Sequence, residues 1–541
     1  MLTSCTDTPD VPEVPDPVDL DDAAFTVSRA RFEQTCSFLG GHEASGLTHG
    51  ELEQRLTVDL RELVRQLYQD HLDLRAAREP RLAQVISIEG NQHRSVETGH
   101  VRSLQTVFGK VDVTRHAYRR RGECNLYPAD ASLNLPHELH SHGLRELAAI
   151  EASRGSYQDA RDALGRATGV KLGKRQLEQL AAAAAVDFEA FYCQPERLQA
   201  DVTDGDLLVL SADGKGIVMR PDALRPATAK AAAKATGKLN TRLSKGEKRN
   251  RKRVAEVGAV YDLTPVARTP NDIIGRDPDA ERPVSPKASN KWLTASVVDN
   301  AATVISSIFD EAQRRDPTHQ RTWIFLVDGA RHQIDCIHTE AKARKIKVAV
   351  VVDFIHVLEY IWSAAWSFFP EADPAAEAWV CEKALAVLHG EASTVAAAIR
   401  RKATCLNLDA QQRRNADKCA DYLLAKKDYL NYLQALAAGW PIATGIIEGA
   451  CRHLVKDRLD LTGARWGLQG AEAILKLRAP YAATTTGTAT GATTSTRNDS
   501  APTTPATPTT PCQPPPDVPA EEPHPSDLAP LRHAGGPVMT V

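Results

Sequence analysis

The chain has ten cysteines but no CxxC pair. That lack argues against a structural zinc site or a disulfide framework and suits a reducing compartment. No apolar stretch approaches ~20 residues free of charge, so no helical membrane span is expected. The opening MLTSCTDTPDVPEVPDPVDLDD has neither the basic nor the apolar region of a secretion signal. Its first 28 residues contain acids but no Lys or Arg. These absences point to a protein retained inside the cell.

What is present is 541 residues, 42% of them hydrophobic, enough for more than one domain with a real core. Net charge is −3, so there is no bulk basic signal, but basic residues crowd into the middle of the chain. An acidic flank and a basic interior suggest a nucleic-acid contact confined to part of the chain.

Composition divides the sequence. Residues 1–24 are rich in Pro and Asp and are expected to be disordered. A mainly helical region follows over 50–200. It opens with ELEQRLTVDLRELVRQLYQDHLDLRAAREP, whose Leu spacing is that of an amphipathic helix. Alternation around Gly109-Lys110 marks a β-hairpin near 102–118. SYQDARDALGRATGVKLGKRQLEQL reads as helix, turn and helix, with Ser156 as a cap and Gly169 and Gly173 at the turn. Lys174 and Arg175 lie where the second helix starts, the position from which a helix-turn-helix meets a major groove. A plain helical hairpin with a solvated basic end has the same pattern. His137, His140 and His142 in LPHELHSHGL read as a solvated helix start rather than a metal site.

Apolar, β-branched runs dominate 205–353: DLLVLSAD, VAEVGAVYDL, WLTASVV, TWIFLVD and KIKVAVVVD. Helical patterns separate the third run from the fourth and the fourth from the fifth. Strands first, then strand–helix–strand, predict a mixed α/β sheet covered by helices. Residues 354–439 read as a helical insertion in which Trp362, Trp366, Phe368 and Phe369 pack the core. Residues 440–479 are read with 205–353 as one domain, and the low-complexity segment 480–541 is expected to be disordered.

Three acids stand at turning points. Asp213 and Asp328 each follow an apolar run and precede a Gly, which offers a carboxylate at the exposed end of a buried strand. Glu448 opens a basic, helix-like segment. Any single Asp-Gly is ordinary turn chemistry, but carboxylates from two strands and a helix are what a two-metal phosphoryl-transfer site requires. Hard oxygen ligands select two Mg²⁺ or Mn²⁺ ions. Held ~4 Å apart, such ions activate an attacking oxygen and stabilise a leaving one.

Residues 230–253 hold ten Lys or Arg and one acid. Within that run Lys245, Lys248, Arg249, Arg251, Lys252 and Arg253 are candidates to neutralise phosphates. Arg452 and Lys456 follow Glu448 at helical spacing and are placed to grip a DNA end. Arg465 and Trp466 are candidates to stack on an unpaired base, with a place in the core as the alternative for Trp466.

From about residue 100 to 479 the chain resembles the DDE transposases of bacterial insertion sequences, specifically the Kra-type (ISKra) group near the Mutator-like enzymes. The resemblance rests on SADGKGIVMR, RNRKRVAEVGAVYDL, TWIFLVDGARHQ, VVVDFIHVLEYIW and GIIEGACRHLVKDRLDLTGARWGLQGAEAILKLRA. It implies an RNase H-like core of three antiparallel strands followed by parallel ones. Asp213, Asp328 and Glu448 would then be the catalytic, metal-binding triad. Asp353 and His356 match the D-x-x-H of Mutator-like enzymes and would neighbour the site. The partners implied are double-stranded DNA, as transposon ends and target, and further copies of the chain on that DNA, in a bacterial cytoplasm at the nucleoid. Helix is expected to continue beyond KLRA, yet the chain passes abruptly into low complexity, as a shifted reading frame would produce. Two alternatives therefore stay open: a DNA-binding remnant without catalysis, and an RNase H-like nuclease that cuts without joining.

Overall fold

The computed structural model describes residues 24–186, 207–234, 251–274, 286–461 and 463–483. Helices α1 (Thr26–Leu39) and α2 (His49–Ala77) lead into a hairpin of β1 (Ser95–Thr106) and β2 (Gly109–Arg119). Thr48 and Glu51 form a reciprocal capping box at the start of α2, which satisfies amide groups that the helix itself leaves open. In the hairpin Thr106 pairs with Gly109, so the turn is Val107-Phe108, two residues before the Gly109-Lys110 turn the sequence suggested. Leu104, Val111 and Val113 pack with Leu72 of α2 in a small core of their own.

Three helices follow: α3 (His142–Arg154), α4 (Tyr157–Thr168) and α5 (Lys174–Ala184). Ser156 caps α4, and Gly169 ends it in the left-handed conformation at φ 74°. Their apolar faces, including Leu144, Ala152, Leu164, Leu177 and Ala181, belong to the same continuous core as the central sheet. These three helices share the main core, while the hairpin packs chiefly on α2 and touches the main core through Val107.

The sheet contains β3 (Leu207–Val218), β4 (Lys252–Leu263), β5 (Ala288–Ser296), β6 (Trp323–Val327) and β7 (Val348–Val352), in the spatial order β5-β4-β3-β6-β7. The first three are antiparallel neighbours, whereas β3–β6 and β6–β7 are parallel. This is a mixed α/β sheet. Every residue of WIFLV in β6 is buried, as a central parallel strand covered on both faces demands. Helix α6 (Ala301–Arg315) covers the antiparallel strands, and α7 (Arg331–Arg344) links β6 to β7.

After β7 come the helices α8 (Phe354–Ala365), α9 (Pro374–Leu388), α10 (Ala392–Cys405), α11 (Arg414–Lys426) and α12 (Tyr432–Ala437). Phe368 and Phe369 pack on Trp379, but Trp366 is 38% exposed. The chain then returns to the sheet as α13 (Gly445–Ala450), which continues through a π-helical turn, Cys451–Lys456, to Leu459. Helix α14 (Leu468–Ala483) closes the described chain. Among the described residues no helix is long and apolar enough to cross a membrane.

Candidate active site

Parallel pairing aligns Leu208–Ser211 of β3 with Trp323–Leu326 of β6. Asp213 and Asp328 each lie two residues beyond the last pair, at the same level on neighbouring strands. There β3 keeps β4 as a partner but has run past β6, which leaves the Asp213 side open. Asp328 begins the turn into α7, with its carboxylate accepting from the Ala330 amide at 2.8 Å. Gly329 follows at φ 93°, and a Cβ there would meet the Tyr422 hydroxyl at 2.8 Å. That hydroxyl donates to the Asp328 carbonyl at 3.0 Å, so α11 of the insertion fixes the turn.

The Asp213 carboxylate accepts from the Gly214 amide at 2.6 Å and from the Cys451 thiol at 3.1 Å. Cys451 is three residues after Glu448 on one helix and therefore shares its side. The thiol contact sets the Glu448 helix beside Asp213. Burial raises the Asp213 carboxyl above its ordinary range, and the charge of Asp328 acts in the same direction. Glu448 reaches the surface, but partial desolvation and then the charge of Asp353 raise its carboxyl too, with Asp213 adding to the effect. Among the described residues no three His, Cys, Asp or Glu side chains converge as a ready-made metal cage.

Asp353 is completely buried. It caps α8 by accepting from the Ile355 amide at 2.8 Å, and it also accepts the Thr444 hydroxyl. Thr444 is the residue before α13, and the neighbouring Phe354 amide bonds the Ile442 carbonyl at 2.9 Å. Asp353 thus pins the returning chain where the Glu448 helix begins. His356 pairs with Glu359 at 3.2 Å. That hydrogen bond, and then the charges of Glu359, Asp328 and Asp353, push His356 up to about 9, so it is a cation at neutral pH.

One acid escaped the sequence reading. Glu256 on β4 pairs with Gly214, the residue after Asp213. By alternation it occupies the sheet face opposite Asp213, with Gly258 and the α6 side. Burial pushes its carboxyl up to about 7, helped by Asp213 and Asp328. A charge inside the apolar run VAEVGAV was the available signal. Lys215, Arg331 and Lys426 were also missed. Lys215 counters the raised pKa of Asp213, and Arg331 and Asp328 both influence Lys426.

The expected nucleic-acid contacts fall into three groups. Lys174, Arg175, Lys252, Arg452, Lys456 and Arg465 are exposed, and Arg251 is half-buried. Lys245, Lys248 and Arg249 lie outside the described residues. Arg253 and Trp466 require correction. The Arg253 guanidinium is spent on the carbonyls of Val297 (2.6 Å), Ala223 (3.3 Å) and Val298 (3.3 Å), so it is not a free phosphate contact. Trp466 is only 6% exposed and donates from Nε1 to the Leu459 carbonyl at 3.0 Å. It belongs to the core, not to a base-stacking surface.

No protein-family model and no curated protein matches the chain. Among solved structures it is similar to a chain of the Drosophila P element transposase strand transfer complex. That likeness has 12% sequence identity, covers 62% of this chain and 77% of that chain, and superposes with a TM-score of 0.22. So loose a superposition carries no weight for the fold or the site, which rest on the strand order and carboxylates described above.

Proposed function

We propose that this chain is a DNA transposase of the DDE type with an RNase H-like core, in line with its sequence resemblance to the Kra-type group. The reading is carried chiefly by one arrangement: Asp213 and Asp328 level on adjacent parallel strands, with the Glu448 helix joined to Asp213 through Cys451. The strand order, three antiparallel and then parallel, supports the same core.

The donor set fits hard divalent cations, because its three candidate ligands are carboxylates. Asp213, Asp328 and Glu448 would hold Mg²⁺ or Mn²⁺. Such ions supply an activated water or 3′-hydroxyl and neutralise charge on the leaving oxygen. The protein's own part is to position these groups. Cys451 orients Asp213, Tyr422 fixes the Asp328 turn, and Asp353 with Thr444 sets the origin of the Glu448 helix. His356, Lys215, Arg331 and Lys426 bring positive charge beside the acids, where a DNA backbone would pass. Lys174 and Arg175 at the start of α5 take up duplex DNA in a major groove.

The test uses a labelled duplex carrying the DNA that flanks the coding sequence, with Mg²⁺ or Mn²⁺. Cleavage followed by joining of the 3′ end to a second duplex is expected, with Asp213→Ala binding but not cutting. Hydrolysis without joining would identify a nuclease, and binding without any cleavage would identify a remnant.

A further inference from the structure

The helix bearing Glu448 is interrupted by a π-helical turn at Cys451–Lys456. Such a turn carries one residue more than the regular helix and exposes carbonyls that the i→i−4 pattern would have used. Here Arg478 of α14 takes them: its Nε donates to the carbonyls of His453 at 3.0 Å and Leu454 at 3.1 Å, and its NH2 also bonds His453. The same guanidinium reaches the Ser153 carbonyl through NH1. Five residues after His453, Arg458 is 2% exposed and donates from Nε to the Ala152 carbonyl at 2.8 Å. Its guanidinium lies over the rings of Tyr157 (5.2 Å) and Trp466 (4.8 Å).

Ala152 and Ser153 end α3, where carbonyls lack intrahelical partners and the helix dipole favours cations. Two arginines from the catalytic segment therefore cap one N-terminal helix. Helix α3 shares its core with α5, whose exposed Lys174 and Arg175 are the proposed DNA contacts. A continuous packed path runs from that basic helix start to the π turn, which begins three residues after Glu448.

We infer that Arg458 and Arg478 are positioning residues that latch the Glu448 helix to α3, coupling DNA engagement at α5 to the placement of Glu448. The inference rests on the transposase reading above. In this proposal the π turn is the element that shifts. If its extra residue migrates toward the N-terminus past Glu448, that side chain rotates by about 100° around the helix axis and leaves the aspartates. Arg478 prevents this by holding the His453 and Leu454 carbonyls. Lysine keeps the charge but lacks the planar fork that bridges several acceptors.

The experiment compares full-length wild type, Arg478→Met, Arg478→Lys and Arg458→Lys on a fluorescein-labelled duplex of the flanking DNA in Mn²⁺. Duplex affinity, cleavage rate and amide hydrogen exchange across 445–459 are read with and without duplex. In the wild type, duplex should increase protection of 451–459. Arg478→Met should bind within twofold of wild type, cut at least tenfold more slowly and lose that DNA-dependent protection, with Arg478→Lys intermediate. Arg458→Lys, which keeps the charge and most of the stem, should show the same separation of binding from cutting and serves if the methionine variant fails to fold. Folded variants that cut within twofold of wild type overturn the latch, as does wild-type protection that duplex leaves unchanged. A wild type that neither binds nor cuts the duplex instead overturns the transposase reading, and the coupling falls with it.

Discussion

The thiol of Cys451 donates to the Asp213 carboxylate at 3.1 Å and so joins the Glu448 helix to the middle of β3. Burial and the charge of Asp213 push the thiol far up, so it stays neutral and remains a donor. Hydrogen bonds to charged groups contribute about 1.5–3 kcal/mol. Cys451→Ala should therefore slow metal-dependent cleavage by roughly tenfold or more, whereas Cys451→Ser keeps a donor and should stay close to wild type. Equal rates for the two variants would show that the contact does not position Asp213.

Asp353 and Thr444 make the second junction. Asp353→Ala removes the α8 cap and leaves a buried hydroxyl without its acceptor. The expected loss is about 2–4 kcal/mol of unfolding free energy, combining a lost cap with an unsatisfied group. Denaturant titration measures it. Thr444→Ala removes only one of the two interactions and should cost less than Asp353→Ala. A destabilisation by Thr444→Ala equal to that of Asp353→Ala would count against the cap's separate contribution.

Glu256 carries a stability prediction with a definite sign. Its folded-state pKa is raised to about 7 by burial first. A raised value gives stability that is present below the ordinary glutamate range and lost as pH climbs through about 7. Glu256→Gln should thus stabilise the metal-free protein at pH 8 by about 1–2 kcal/mol, allowing for solvent screening, and have little effect at pH 4. Thermal unfolding at the two pH values decides it. Equal shifts at both would mean that Glu256 is not held against its charge.

His356 gives a second change on the alkaline side. The hydrogen bond from its ring to Glu359 raises it to about 9, so its positive charge is present below that value and lost above it. If the charge assists DNA beside the carboxylates, cleavage should fall as pH rises through about 9. His356→Asn should flatten that limb, and Glu359→Gln should move it to lower pH. A pH–rate profile unchanged in both variants would assign His356 to packing alone.

How much of this was legible in the sequence depended on the range of the interactions involved. The strand ending before Asp328 announced itself because a buried parallel strand is an apolar run and its end carries turn residues. The strand end expected at Asp213 is not there: β3 continues through Asp213 and Gly214 to Val218, paired with β4, and only its pairing with β6 stops short. Glu448 rested largely on the family resemblance, since its six-residue helix has little periodicity of its own. Asp353 was visible as a strand end, but its bond to Thr444 joins residues separated by the whole helical insertion. Glu256 was signalled only as a charge inside an apolar run, and its cross-strand register with Gly214 could not be read from one strand. Arg253 looked like one more residue of a basic run until carbonyls from distant loops claimed it.

Trp466 and the α5 lysine–arginine pair offer the sharpest separation between packing and DNA contact. Trp466 packs near Tyr157 and Arg458 and bonds the Leu459 carbonyl, so Trp466→Ala should cost about 3–5 kcal/mol as a large core truncation. Trp466→Phe keeps most of the volume and should cost less. Neither change should alter how DNA affinity depends on salt. Lys174→Ala and Arg175→Ala should do the reverse: little loss of stability, weaker binding, and a slope of log affinity against log salt smaller by about one for each phosphate contact removed. Anisotropy titrations at several salt concentrations, paired with melting curves, distinguish the two behaviours. A salt slope that falls in Trp466→Phe while its melting curve is unchanged would return this residue to the DNA surface. An unchanged slope in the Lys174 and Arg175 variants would remove the helix-turn-helix from it.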